Sequence, residues 1–115
     1  MKIKRIEKPW GYEEILVQTD LYVMKRMYIN QGHRMSLQYH KEKEETIYVA
    51  EVILLLWESE SGPSRNFLKG ETFHVMPGQI HRFGAPFHMG CILIECSTIQ
   101  LDDIVRLADD YKRIK

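Results

Sequence analysis

Apolar and polar positions alternate along most of this chain with a period of two, the spacing of half-buried strands. From Leu21 to Ile29, the residues Leu21, Val23, Lys25, Met27 and Ile29 fall on one face, and Tyr22, Met24, Arg26 and Tyr28 on the other. Asn30-Gln31-Gly32 is a turn signal. A second strand is predicted over Met35 to His40, with Ser36, Gln38 and His40 alternating against Met35, Leu37 and Tyr39. Thr46 to Val49 and Val52 to Trp57 are β-branched and apolar and read as strands. Glu58 to Asn66, with its Ser, Gly and Pro, reads as a loop. Thr72 to Met76 is a short strand stopped by the turn pair Pro77-Gly78, and His88 to Cys96 is a further strand. In the tail the period changes. Leu101, Ile104, Val105, Ala108 and Tyr111 recur at helical spacing behind Asp102 and Asp103, so a short helix is predicted over 101–113.

Many short strands with close turns, then one helix, predict an all-β jelly-roll barrel with a short C-terminal helix. The 115 residues make one domain, 1–115. Its parts are an N-terminal arm and first strand at 1–20, the barrel at 21–97 and the tail helix at 101–113. Apolar residues are 44% and charged residues 28%, a globular balance. Sixteen basic residues against sixteen acidic ones leave no net charge, which argues against a general nucleic-acid binder. The basic start Met1 to Arg5 is not followed by an apolar stretch, and the longest apolar run, Val52 to Trp57, is too short to span a bilayer. A cytoplasmic protein without membrane partners is expected. Cys91 and Cys96 are an odd number apart on one strand, so they face opposite ways and stay unpaired.

Gln38 and His40 leave the same face of a strand, Glu45 follows five residues later, and His81 comes directly after the Pro77-Gly78 turn. Two imidazoles, a carboxylate and an amide oxygen make a shell for one divalent ion: Zn, Mn, Fe, Co or Ni. On spacing alone such a set is also common as solvated polar side chains.

The segments that carry these residues add to that. Gly32-His33-Arg34-Met35-Ser36-Leu37-Gln38-Tyr39-His40-Lys41-Glu42-Lys43-Glu44-Glu45 resembles the first cupin motif, and Pro77-Gly78-Gln79-Ile80-His81-Arg82 the second. Pro9-Trp10-Gly11, Lys25-Arg26 and Asp102-Asp103-Ile104-Val105-Arg106 with Tyr111 also occur in order. From Lys8 to Arg113 the chain resembles the cupin domain of type II mannose-6-phosphate isomerases, often fused behind a GDP-mannose pyrophosphorylase. Many cupins carry a second histidine where Gln38 stands; the sugar-phosphate isomerases use glutamine. The resemblance implies a metal bound by Gln38, His40, Glu45 and His81. It also implies isomerisation of mannose 6-phosphate to fructose 6-phosphate through a metal-stabilised enediolate, a sugar phosphate as the small-molecule partner, and a homodimer. Three departures stand out. Val49-Ala50-Glu51-Val52 lacks the family's hairpin glycine, Thr46-Ile47 replaces His-Trp, and Phe83-Gly84-Ala85-Pro86 replaces an expected asparagine. They keep open a metal- or sugar-binding cupin without turnover, in polysaccharide or nucleotide-sugar metabolism. A different cupin enzyme such as a dioxygenase is a further alternative, which Gln38 disfavours because an amide is a weaker ligand for Fe²⁺ than imidazole.

Arg82 and Lys43 are the candidate catalytic residues. Arg82 follows a ligand and is expected at the cavity mouth, within reach of a phosphate, or else as a solvated arginine. Lys43 lies between two ligands, or is a loop charge. Lys25 shares a face with Val23 and Met27 and is either paired inside or on an exposed face. Glu44, His33 and His74 are open choices for moving the substrate proton. Trp10 and Tyr12 either flank a sugar or anchor the N-terminal arm.

Overall fold

The computed structural model describes residues 2–113, folded as eleven strands. They are β1 Lys4–Lys8, β2 Gly11–Gln18, β3 Val23–Ile29, β4 Leu37–Tyr39, β5 Glu45–Glu51, β6 Ile53–Trp57, β7 Arg65–Leu68, β8 Thr72–Val75, β9 Arg82–Gly84, β10 Cys91–Ser97 and β11 Val105–Ala108. One wall is a six-stranded sheet in the order β1-β2-β3-β10-β5-β8. The facing wall joins β7-β6-β9 to β4-β11, spliced by bridges from Arg34 to Gly84 and from Gln38 to His81. Every strand pairing is antiparallel.

The alternation read from the sequence sets which side chains face in. On β3 the buried positions are Val23, Lys25, Met27 and Ile29; on β10 they are Cys91, Leu93, Glu95 and Ser97; on β5 they are Glu45, Ile47 and Val49. Cross-strand register lines these up as Met27, Leu93 and Val49, then Lys25, Glu95 and Ile47, then Val23, Ser97 and Glu45. The inward rows therefore turn from wholly apolar to partly charged toward one end of the barrel. Leu54, Leu56 and Phe83 from the other wall close the apolar end. Cys91 is buried, with its thiol pushed up to about 12 by burial, and Cys96 is exposed on the opposite face; both are free, as their spacing predicts.

The N-terminal arm becomes two strands. Trp10 is buried in the core, and Gly11 lies so close to the Tyr28 carbonyl that a Cβ there would collide with backbone. Pro9-Trp10-Gly11 thus pins β2 against β3. Tyr12 stacks on Tyr28 at 5.5 Å between ring centroids, on the outer face.

The tail differs from expectation. No helix is present among the described residues, and 101–113 forms turns around β11, which pairs with β4 from Val105↔Tyr39 to Ala108↔Leu37. Two forces outweigh the helical spacing. The edge of β4 offers unpaired backbone groups that a strand can satisfy and a helix cannot. The Asp103 carboxylate accepts the backbone N–H groups of Lys41, Glu42 and Lys43 at 3.0, 2.7 and 2.9 Å instead of starting a helix. The remaining differences are at strand ends: Leu21, which is exposed, and Tyr22 precede β3, Met35 and Ser36 precede β4 and His40 follows it, Val52 lies in the turn before β6, Met76 follows β8, and His88 to Gly90 lead into β10. The Glu58 to Asn66 loop gives way to β7 at Arg65.

Without the hairpin glycine, the β5–β6 turn places Val52 at φ +70°, a region that a β-branched side chain rarely enters.

Candidate metal centre

His40 follows the end of β4, Glu45 opens β5, and His81 precedes β9. The bridge between Gln38 and His81, with reciprocal N–H to carbonyl bonds of 2.9 Å, sets those two side chains on one face. His40, Glu45 and His81 come together so that one ligand atom from each lies within 4.8 Å of the others. All three are buried, at 3%, 2% and 0% exposure. His40 Nε2 lies 3.5 Å from Glu45 Oε1, and His81 Nε2 lies 3.3 Å from the same oxygen.

The other ring nitrogens are engaged. His40 Nδ1 donates to the Asp103 carbonyl at 2.6 Å, and His81 Nδ1 donates to the Gln79 carbonyl at 2.9 Å. Each bond fixes the tautomer that leaves Nε2 as a lone-pair donor facing Glu45 Oε1. His40 Nε2 and His81 Nε2 are buried and make no hydrogen bond, and both face Glu45 Oε1, while Glu45 Oε2 is ion-paired to Lys43 Nζ at 3.1 Å. Buried polar atoms without partners are costly. A divalent ion between the two Nε2 atoms and Glu45 Oε1 would satisfy both imidazoles at once, and two imidazoles with a carboxylate suit such an ion chemically. The residues present therefore fit a metal. Gln38 lines one cavity with His40; its amide oxygen accepts the Ser36 hydroxyl at 2.7 Å and keeps a second lone pair.

Charge around the cluster is arranged to keep Glu45 ionised. Burial works against its charged form, but polar contact with His40 and His81 and the charge of Lys43 outweigh burial, and its carboxyl is held well below the usual range. Lys43 is buried, with Nζ 3.1 Å from Glu45 and 3.0 Å from Glu95. Burial favours its neutral form, yet the charges of Glu95 and Glu45 overcome this and raise its pKa. Burial first, and the charge of Glu45 second, push Glu95 up to about 7.

Beside His40 opens a cavity of about 320 Å³, lined by Trp10, Met27 and Met35 and by Gln38, His40, Lys43, Glu95, Lys25, Glu13 and Arg106 among others. Lys25 is buried there and ion-paired with Glu13 at 3.3 Å, so it is inside and satisfied.

Arg82 lies elsewhere. Its side chain leaves the strand opposite to His81; Nε donates to the Met35 carbonyl at 2.9 Å and a terminal nitrogen to the Ala108 carbonyl at 3.0 Å, with Asp110 at 3.8 Å. It stitches β9 to the ends of β4 and β11 and does not line the cavity. Glu44, His33 and His74 do not line it either. His74 pairs with Glu44 at 2.8 Å on the outer surface, and His33 stacks on Tyr111.

Sequence reasoning missed Glu13, Glu95 and Arg106. Glu95 was within reach: it has the same parity as Cys91 and Leu93 on an apolar strand, and a lone carboxylate at an inward position is a signal. Arg106 was hidden by the helical reading of the tail, which left its face unassigned.

A family model described as the C-terminal part of mannose-6-phosphate isomerase matches residues 2–109. Among curated relatives, a mannose-1-phosphate guanylyltransferase of Sinorhizobium fredii is 25% identical over 120 residues, covering 91% of this chain and 21% of the relative. One from Escherichia coli is 27% identical over 115 residues, covering 96% of this chain and 23% of the relative. The chain thus spans less than a quarter of these relatives' length. Among solved structures, the polyketide cyclase RemF from Streptomyces resistomycificus superposes with a TM-score of 0.79 at 18% identity, over 91% of this chain and 80% of that one. A cupin-like protein from Thermotoga maritima gives 0.73 at 19%, over 85% and 76%. KdgF from a Halomonas species gives 0.72 at 15%, over 89% and 91%. These likenesses establish the cupin fold. No helix among the described residues is long and apolar enough to cross a membrane.

Proposed function

The chain belongs to the mannose-6-phosphate isomerase C-terminal family, and on that premise we propose that it is a metal-dependent sugar-phosphate isomerase converting mannose 6-phosphate to fructose 6-phosphate. One observation carries the proposal. Two buried imidazole nitrogens, His40 Nε2 and His81 Nε2, make no hydrogen bond and converge on Glu45 Oε1, and His40 with Gln38 lines a charged cavity wide enough for a small sugar.

A divalent ion held by His40, Glu45, His81 and Gln38 supplies Lewis-acid polarisation of neighbouring carbonyl and hydroxyl oxygens. The chain's own residues do the rest. Lys43 holds Glu45 and Glu95 in place through its two ion pairs and keeps Glu45 an anion. Trp10, Met27 and Met35 give the cavity an apolar wall that excludes water and offers a surface for the sugar ring. Aldose–ketose exchange moves a proton between adjacent carbons, so a proton carrier must stand in the wall; the carboxylates there are Glu13, Glu95 and Asp102. In the same proposal the chain is a cytoplasmic homodimer, formed along the sheet edges at β1 or β8.

The test is direct. The metal-loaded chain is incubated with mannose 6-phosphate and followed by NMR. Fructose 6-phosphate should accumulate, and chelation or His81→Ala should stop it. A metal-loaded chain that turns over no hexose phosphate overturns the isomerase and leaves a metal- or sugar-binding cupin without turnover.

A further inference from the structure

Arg106 sits directly across from a metal-site residue. On β11 it pairs with Gln38 of β4, and Gln38 in turn is bridged to His81. Residues paired across antiparallel strands project to the same face. Arg106, Gln38 and His81 therefore form a row, and Arg106 lines the cavity beside His40 and Gln38.

What separates Arg106 from the other cavity cations is its lack of a partner. Lys43 is held by Glu45 and Glu95, Lys25 by Glu13 at 3.3 Å, and Arg113 by Asp109 at 2.7 Å. Arg106 makes no side-chain hydrogen bond or ion pair among the described residues, and its Nε is buried. A buried guanidinium N–H without an acceptor is costly, and the like charge of Arg113 in the same cavity, which Asp109 offsets only in part, adds to that cost. Both conditions are relieved by an oxyanion in the cavity. A planar guanidinium binds such a group with two parallel N–H bonds.

We propose that Arg106 is the anion-binding residue of the cavity and receives the phosphate group of a phosphorylated ligand. The anion site follows from the geometry alone; its assignment to a sugar phosphate rests on the isomerase reading. The same placement leaves Arg82, bound to main-chain carbonyls, as a structural cross-link.

Calorimetric titration of the metal-loaded chain with inorganic phosphate and with mannose 6-phosphate tests this, using Arg106→Gln and Arg106→Lys. The Gln variant should keep the metal content and melting temperature of the parent and bind both ligands about 10- to 100-fold more weakly, the scale of one charge-assisted pair. The Lys variant, keeping the charge but losing the fork, should fall between. If the isomerase is active, Arg106→Gln should raise KM for mannose 6-phosphate far more than it lowers kcat. Equal phosphate affinity in parent and Gln variant overturns the inference, as does a parent that binds neither ligand. Phosphate binding that depends on Arg106 without any isomerisation upholds the anion site and removes the isomerase. Isomerisation with an unchanged KM in Arg106→Gln does the reverse.

Discussion

His40 and Asp103, 63 residues apart, are joined twice over: the His40 ring donates to the Asp103 carbonyl, and the Asp103 carboxylate gathers the three N–H groups that follow His40. One residue thus orients the imidazole and ties down the loop that leads to Glu45. Asp103→Ala should therefore weaken metal binding about tenfold although Asp103 touches no metal, the usual scale for groups that orient ligands. Competitive titration with a metal indicator measures this. An unchanged affinity means that the loop holds its shape without the carboxylate.

Asp103 also predicts an acid response. The backbone N–H groups of Lys41, Glu42 and Lys43 hold its carboxyl down at about 2, against an ordinary value of 3.8. A folded value below the unfolded one means stabilisation that is complete above the unfolded value and lost as pH falls toward the folded one. Between about pH 4 and pH 2 the metal-free parent should lose stability faster than Asp103→Asn does. Urea unfolding at a series of pH values, with chelator present, compares the two slopes.

Lys43 should be a stability residue before it is anything else. It is 5% exposed and lies between Glu45 and Glu95. Lys43→Met leaves two carboxylates facing each other in a buried site, and in the metal-free chain this should cost about 3–5 kcal/mol. Adding Glu95→Gln should recover much of that loss, a coupling that a double-mutant cycle reads directly. A small, uncoupled effect would mean that the two carboxylates are already neutralised in another way.

The β5–β6 turn carries strain that a glycine would remove. Val52 is held at φ +70°, where an L side chain costs about 1–2 kcal/mol. The added freedom of the unfolded chain offsets about 0.4–1 kcal/mol of any relief. Val52→Gly should thus stabilise by about 0.5–1 kcal/mol in urea unfolding. Gly11→Ala should do the opposite and cost about 3 kcal/mol, because its Cβ meets the Tyr28 carbonyl, which cannot move without breaking β2 from β3.

Much of this was legible in the chain because strand parity is a strict rule. Val23, Met27 and Ile29 point inward as their spacing requires, and the spacing of Gln38 and His40 sets both on the cavity. The same rule places Cys91 and Cys96 on opposite faces. The tail was not legible, because a strand pairing with β4 and a helix can share the positions Leu101, Ile104, Val105 and Ala108, and only the waiting edge of β4 decides between them. Arg82 was misplaced for a related reason. Its neighbour His81 points inward to Glu45, so on an extended backbone Arg82 must point away, and the carbonyls of Met35 and Ala108 that receive it come from segments distant in sequence.

In the proposed site His40, Glu45 and His81, with Gln38, hold one divalent ion. Elemental analysis of the purified chain, beside Glu45→Gln and His81→Ala, tests it most directly. One ion per chain in the parent, and little or none in either variant with the fold intact, is the predicted result. A parent that takes up no ion after incubation with Zn²⁺, Mn²⁺, Fe²⁺, Co²⁺ or Ni²⁺, or variants that keep the full content, would contradict it.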